Sequence, residues 1–121
     1  MQSPQPTVLS FSNDPEQLRE REAAIRNSGF GAISVSSEIA ARFEIEMGRC
    51  GVLLICYTIP PLVAKELAGL FRVSCPTGLI IAVTTDRKTV SGDADLIIPS
   101  ADGPDGIIRA LHMNINLRKA G

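Results

Sequence analysis

The sequence lacks several features that mark particular classes of protein. It has no Trp, and aromatic residues make up only 4% of the chain, so a folded core must be built from aliphatic side chains. Twelve Lys and Arg against thirteen Asp and Glu give a net charge of −1. Such a balance offers no bulk electrostatic attraction to nucleic acid or to an anionic membrane. No apolar run approaches the roughly 20 residues that cross a bilayer. We therefore expect neither nucleic acid nor membrane as a partner.

The sequence also has few Cys and His residues with which to bind a metal ion or form disulfides. Cys50, Cys56 and Cys75 form no C-x-x-C pair, and His112 is the one histidine. A structural zinc ion takes four such ligands in regular spacing, so we expect no metal site. Residues 1–6 lack the basic start and apolar stretch of a signal peptide, which favours a cytoplasmic location. Disulfides are rare there, and Cys50 and Cys75 are expected to be buried as small hydrophobic residues.

What the sequence does contain is the pattern of one α/β domain. Its 121 residues are 45% hydrophobic, enough for one core and too few for two. We expect residues 1–6 to be a loose lead-in, 7–117 the domain and 118–121 a short tail. Apolar runs alternate with helical patterns and predict five strands, at residues 7–11, 32–35, 51–56, 78–83 and 94–98. Continuous aliphatic runs at 51–56 and 78–83 indicate strands buried on both faces, as in a parallel sheet.

Four helices are predicted between and after these strands. Asp14 precedes Pro15 and Gln17 as a helix N-cap with proline at the first position and glutamine at the third. The second helix follows Ser36 and Ser37, the third starts at Pro60 and Pro61, and the last starts at Pro104. The residues expected to face the core are Leu18, Ala24 and Ile25 in the first helix, Ile39, Phe43 and Met47 in the second, Val63, Leu67, Leu70 and Phe71 in the third, and Ile108, Leu111 and Ile115 in the last.

The stretch between the fourth and fifth strands is different. Residues 84–93 contain Val90 as the one large apolar residue, so we predict a short turn there rather than a packed helix. The run at 32–35 is the less apolar one and fits an edge strand. Right-handed crossovers then favour a doubly wound parallel sheet in the order 2-1-3-4-5, with helices on both faces. The functional crevice of such a sheet lies at the carboxyl ends of strands one and three, here residues 12–14 and 56–58.

Four segments of this chain, taken in order, carry a family resemblance. VLSFSNDP, LLICYTIP, IIAVTT and ADLIIP resemble the strands and strand ends of the response-regulator receiver domain, the CheY-like form of the flavodoxin-like fold. The resemblance covers about residues 7–117. It implies a signalling role in a two-component phosphorelay, in which an aspartate is phosphorylated with the help of Mg²⁺, a lysine and a hydroxyl group.

The resemblance also assigns positions within that site, and most of them are changed here. Cys56 occupies the position of the phospho-acceptor aspartate, and Ile98 occupies that of the lysine before Pro99. Thr84 matches the switch hydroxyl. The positions of the acidic pocket are Ser12, Asn13 and Asp14. Asp14 has a second explanation as the helix N-cap, worth on the order of 1 kcal/mol.

These changes predict a degenerate receiver, or pseudo-receiver, that is no enzyme and has no catalytic residue and no cofactor. It would act through protein–protein interaction with a sensor kinase, an output protein or a second copy of itself, the last of these giving a homodimer. Receivers commonly use the face formed by the fourth connection, the fifth strand and the last helix. That face would present Asp95, Asp102, Asp105, Arg109 and Asn116.

Two other functions remain open from the sequence. Cys56 at the crevice could serve a thiol-based sensor or small enzyme, since a thiolate near helix N-termini can have a lowered pKa. The absence of a His or Arg close to Cys56 in the sequence counts against this. A ligand binder could hold an anion with Ser12, Asn13, Thr84 and Thr85, but the chain has no glycine-rich phosphate loop.

Overall fold

The computed structural model describes residues 6–85 and 93–120, with side chains described as far as residue 114. Strands and helices alternate along the chain. They are β1 (Thr7–Phe11), α1 (Pro15–Asn27), β2 (Gly31–Val35), α2 (Glu38–Met47), β3 (Val52–Ile55), α3 (Pro61–Ser74), β4 (Leu79–Thr84), β5 (Leu96–Pro99) and α4 (Gly103–Ala120), with a short 3₁₀ turn at Ser100–Asp102 before α4.

The five strands form one parallel sheet in the order β2-β1-β3-β4-β5, which confirms the predicted fold class and the edge position of β2. Every residue of β3 is buried, as the continuous apolar run indicates. The helices cover both faces and divide the core into two layers. Ile25 of α1 and Leu111 of α4 pack on one face, and Ile45 of α2 and Phe71 of α3 pack on the other.

The first helix begins as the sequence predicts. The Asp14 Oδ1 atom accepts hydrogen bonds from the backbone N–H groups of Glu16, at 3.0 Å, and Gln17, at 3.4 Å. Gly29 follows the helix with a positive φ of 94°, a conformation that glycine adopts at little cost. Leu18 and Ile25 are buried as expected. Ala24 is only half-buried, and the third buried residue of α1 is the cation Arg21.

The predicted core face of α2 is wrong. Ile39 is 83% exposed, Phe43 56% and Met47 53%. The buried residues are Ala41, Glu44 and Ile45. Ala41 and Ile45 each lie two residues from a predicted core residue, and residues two apart on a helix point about 200° apart around its axis. The helix therefore buries the face opposite to the predicted one. Ala41 is fully buried in the core layer on this face. Glu44 tolerates burial because Arg49 Nη2 pairs with its carboxylate at 2.8 Å.

The remaining helices agree with the sequence pattern more closely. Leu67 and Phe71 of α3 are buried, and Val63 and Leu70 are partly buried against the same core layer. In α4, Leu111 is buried, but Ile107 occupies the second core position and Ile108 is only partly buried. Cys50 is buried and Cys75 is half-buried.

Some sequence predictions lie beyond the parts of the chain that are described. The short fourth connection falls mostly on residues 86–92, the lead-in on residues 1–5, and the Ile115 side chain follows residue 114. None of the described helices is both long enough and apolar enough to cross a membrane.

Candidate functional site

The candidate site lies where β1 and β3 end side by side. Phe11 is in register with Ile55, and the Cys56 backbone N–H donates to the Phe11 carbonyl oxygen at 3.1 Å. The segments that follow these strands, residues 12–14 and 56–58, are therefore brought together. This is the crevice that the sheet order predicts.

Hydrogen bonds to Thr58 join the two segments. The Asn13 backbone N–H donates to Thr58 Oγ1 at 3.0 Å, and Asn13 Nδ2 donates to the Thr58 carbonyl oxygen at 3.1 Å. The Ser12 hydroxyl lies 3.4 Å from Thr58 Oγ1. Ser12 and Asn13, two of the three acidic-pocket positions, thus act as neutral cross-links between loops.

The residues present do not fit the Mg²⁺ ion that the resemblance implies. Asp14 is the one carboxylate at the three acidic-pocket positions, and its Oδ1 atom is used to cap α1. Mg²⁺ binds through oxygen ligands that usually include one or two carboxylates held for the purpose. Within the described residues, no three His, Cys, Asp or Glu side chains form a cluster that could hold a metal ion. No step that needs Mg²⁺ is therefore assigned to this site.

Cys56 itself is only 2% exposed and is held by Gln17 of α1. The thiol donates to Gln17 Oε1 at 3.1 Å, and the Ser12 hydroxyl donates to the same oxygen at 3.2 Å. Gln17 Nε2 donates to the Tyr57 hydroxyl at 3.1 Å. Gln17 is a site residue that the sequence analysis missed. The one sequence signal for Gln17 is its place at the third helical position, where a capping box would have its side chain accept from the Asp14 backbone N–H. The Gln17 side chain faces the crevice instead, and the Asp14 N–H donates to Ser12 Oγ.

Arg21, one helical turn beyond Gln17, is the second missed residue. Burial alone raises the pKa of the Cys56 thiol, but the Thr58 backbone N–H, the Arg21 guanidinium and Ser12 together lower this pKa below its usual value. The buried Cys50 shows the contrast, since burial and nearby Glu44 raise its pKa to about 11. No His or Arg lies close to Cys56 in the sequence, but the packing of α1 brings Arg21 beside the thiol, so that absence does not exclude a charge partner.

The other two receiver positions lie on β4 and β5. Thr84 ends β4, in register with Pro99, and is partly buried. Ile98 is 7% exposed and belongs to the core layer beneath α1 and α4. The lysine position therefore holds a buried apolar side chain.

The predicted interaction face is only partly available. Asp95 accepts a hydrogen bond from the Ile80 backbone N–H at 2.8 Å and pairs with Arg72 Nη2 at 2.8 Å. Its carboxylate therefore ties the start of β5 to β4 and α3. Asp102, Asp105 and Arg109 are exposed, and the Asn116 side chain lies beyond the described ones.

Comparison with solved structures identifies the fold. A CheY-like response regulator receiver domain from Methanospirillum hungatei superposes with a TM-score of 0.81 at 16% identity, covering 97% of this chain and 99% of that one. The chemotaxis response regulator CheY4 of Vibrio cholerae gives 0.77 at 13% identity, covering 90% and 98%. The receiver domain of the Francisella response regulator 1452 gives 0.76 at 17% identity, covering 96% and 99%.

The chain therefore has the fold of a response-regulator receiver domain. No family model matches its sequence, and no curated protein matches it. The likeness to receivers lies in the backbone, while the residues at the strand ends, except Thr84, mostly differ from those the resemblance requires.

Proposed function

We propose that this chain is a receiver-fold signalling module of a two-component system that is not phosphorylated on aspartate and acts by binding protein. One observation carries the proposal. At the end of β3, the phospho-acceptor position holds the buried Cys56, whose thiol is hydrogen-bonded to Gln17. A thiol in that place cannot form the acyl phosphate on which a working receiver depends.

The neighbouring residues support the same conclusion. Phosphoryl transfer requires stabilisation of charge that spreads over the phosphoryl oxygens. Ile98 offers no cation at the lysine position, and Asn13 has its amide tied to Thr58. The site therefore lacks the aspartate nucleophile and the lysine charge of a working receiver, and its cation is instead Arg21, beside the Cys56 thiol.

The exposed face of α2 supports the binding part of the proposal. Ile39, Phe43 and Met47 lie at i, i+4 and i+8 and so form one stripe on the helix surface. All three are more than half exposed. Exposed apolar patches on a folded domain mark protein-interaction surfaces. This stripe, on the helix that follows the edge strand β2 in the chain, is the binding surface that we assign.

Self-association is the simplest form of this binding, and light scattering during size-exclusion chromatography tests it. We expect a concentration-dependent dimer that Phe43→Ser weakens. Val73→Ser on α3 is the matched control, because Val73 is 79% exposed and lies outside the stripe. Acetyl phosphate with Mg²⁺ should leave the elution unchanged. A dimer that forms only with the phosphodonor would overturn the proposal, and a strict monomer would exclude self-association.

A thiol-based sensor is the second candidate, and the Arg21 contact favours it. The Arg21 charge and the Thr58 backbone N–H lower the pKa of Cys56 and so enrich its thiolate, the reactive form. Because the Cys56 thiol is buried, only small electrophiles or oxidants can reach it.

A further inference from the structure

A cavity of about 180 Å³ lies between α1 and the start of α4, beside the crevice. Gln17 and Arg21 of α1, Tyr57 after β3, and Ser100 before α4 line it together with the first residues of α4. Val83, Ile98 and Ile107 form its apolar walls. Pockets for drug-sized molecules are usually about 300–1,000 Å³, so this cavity suits a smaller ligand.

The Arg21 side chain lacks the partners that a buried cation normally has. Arg21 is 6% exposed, and its Nη1 atom has no hydrogen-bond partner among the described residues. None of the ion pairs between described side chains includes Arg21. Cys56 is its polar neighbour, and in its thiol form it donates to Gln17 and carries no charge. Buried charges in proteins are normally paired, because moving a charge out of water without a partner costs free energy.

The start of α4 faces the same space. Gly103 and Pro104 line the cavity and begin a helix of 18 residues. The N-terminus of such a helix carries partial positive charge, but Pro104 has no backbone N–H, the Gly103 N–H donates to the Ser100 carbonyl oxygen, and Asp105 lies in the first turn. The start of α4 therefore shapes the cavity without offering it a free backbone donor at these two residues. The polar part of the cavity is thus the buried Arg21 cation with the side chains of Ser100 and Tyr57.

Among the residues that line the cavity, one carboxylate opposes this arrangement. Glu20 lines the rim and is exposed to solvent, where water and salt screen its charge. It therefore weakens the attraction of the cavity for an anion but does not neutralise Arg21.

We propose that this cavity binds a small oxyanion, with Arg21 as its charge partner and Ser100 as a second polar contact. Phosphate and small carboxylates share the chemistry that the site recognises. The proposal does not depend on the α2 stripe or on the absence of phosphorylation. It places the anion on the α1 and α4 side of β3, away from Ser12 and Asn13, whose polar groups bond to Thr58 and Gln17.

Binding at this cavity would also act on Cys56. An anion beside Arg21 competes with the thiolate for the same positive charge, so it should raise the pKa of Cys56. Alkylation of Cys56 at neutral pH should then become slower as phosphate is added, and Arg21→Met should remove this effect of phosphate.

Thermal unfolding in phosphate, in acetate and in chloride of matched ionic strength tests the proposal. A ligand that binds the folded state raises the melting temperature in a saturable way, whereas the general salt effect of phosphate does not saturate. We expect saturable stabilisation by phosphate or acetate, and the stronger of the two identifies the oxyanion class. Chloride should give none.

Two arginine variants provide the comparison. Arg21→Met should abolish the saturable shift, and Arg19→Met, an exposed position on the same helix, should keep it in full. Glu20→Gln should lower the concentration needed. Equal shifts in Arg21→Met and the unaltered protein would overturn the proposal.

A spectroscopic readout covers the case in which Arg21→Met does not fold. In an amide NMR titration of the unaltered protein with phosphate, we expect saturable shifts concentrated at Gln17, Arg21, Tyr57, Ser100 and Gly103. Shifts that are absent, or scattered over the surface without saturation, would overturn the proposal.

Discussion

The Cys56 thiol donates a hydrogen bond to Gln17 Oε1 at 3.1 Å, across the gap between the end of β3 and the first turn of α1. The resemblance to receivers places a phospho-acceptor carboxylate at that point. A neutral thiol bonded to a neutral amide replaces it, and the same amide also accepts from Ser12 and donates to Tyr57. The crevice is thus closed by internal hydrogen bonds.

Replacing Gln17 tests how far this network stabilises the fold. Gln17→Ala removes the partner of Cys56, Ser12 and Tyr57 in one step. We expect the free energy of unfolding to fall by about 1–3 kcal/mol, because buried polar groups lose their partners. Urea denaturation measures it. Arg19→Ala, exposed on the same helix, should change stability little, and equal losses in both variants would contradict the role given to Gln17.

Arg21 should control the ionisation of Cys56. Because Arg21 helps to lower the pKa of this thiol, Arg21→Met should move the pH midpoint of Cys56 alkylation upward. Peptide-resolved mass spectrometry with a small alkylating agent gives the midpoint for each cysteine. Arg19→Met should leave the midpoint unchanged. If the midpoint is unshifted in Arg21→Met, the guanidinium does not control the ionisation of Cys56, and the thiol-sensor candidate is weakened.

Cys50 should make the folded state less stable in alkaline solution. Its pKa is raised to about 11, so above the ordinary thiol pKa the unfolded chain releases a proton that the folded chain keeps. The contribution of Cys50 to the free energy of unfolding is fully present below about pH 8.5 and falls by about 2 kcal/mol as the pH approaches 11. Denaturation of Cys50→Ala at several pH values should show a shallower alkaline loss than that of the unaltered protein. Parallel profiles would contradict this.

Asp95 should act as a structural acceptor for the start of β5. Asp95→Ala leaves the Ile80 backbone N–H without its partner and removes the ion pair with Arg72. We expect a loss of about 1–2 kcal/mol, mostly from the N–H, since a partly exposed ion pair contributes little. Asp95→Asn keeps an acceptor and should recover most of the loss. If it is as unstable as Asp95→Ala, the ion pair is the larger contribution.

The parts of the fold that the sequence predicted correctly depend on local signals. Continuous aliphatic runs identify β3 and β4, and Asp14 before Pro15 identifies the start of α1. The predicted core face of α2 is wrong because the periodic pattern favours large apolar side chains. The helix instead packs through Ala41, Ile45 and Glu44, and the burial of Glu44 depends on its ion pair with Arg49.

The site shows the same division. Cys56, Ser12 and Asn13 come together because strand order alone fixes where strand ends meet. Gln17 and Arg21 were missed because polar residues on a helix are expected to face water. Their orientation depends on how α1 packs against the sheet, and a periodic pattern does not contain that information.

Intact-mass spectrometry after incubation with acetyl phosphate and Mg²⁺ tests the central claim most directly. We predict no mass increase of one phosphoryl group, in the unaltered protein or in Cys56→Asp. In Cys56→Asp the new carboxylate would lie near Arg21, but Ile98 still supplies no cation and Asn13 no carboxylate for Mg²⁺. A Mg²⁺-dependent phosphorylated species of the unaltered protein would contradict the account.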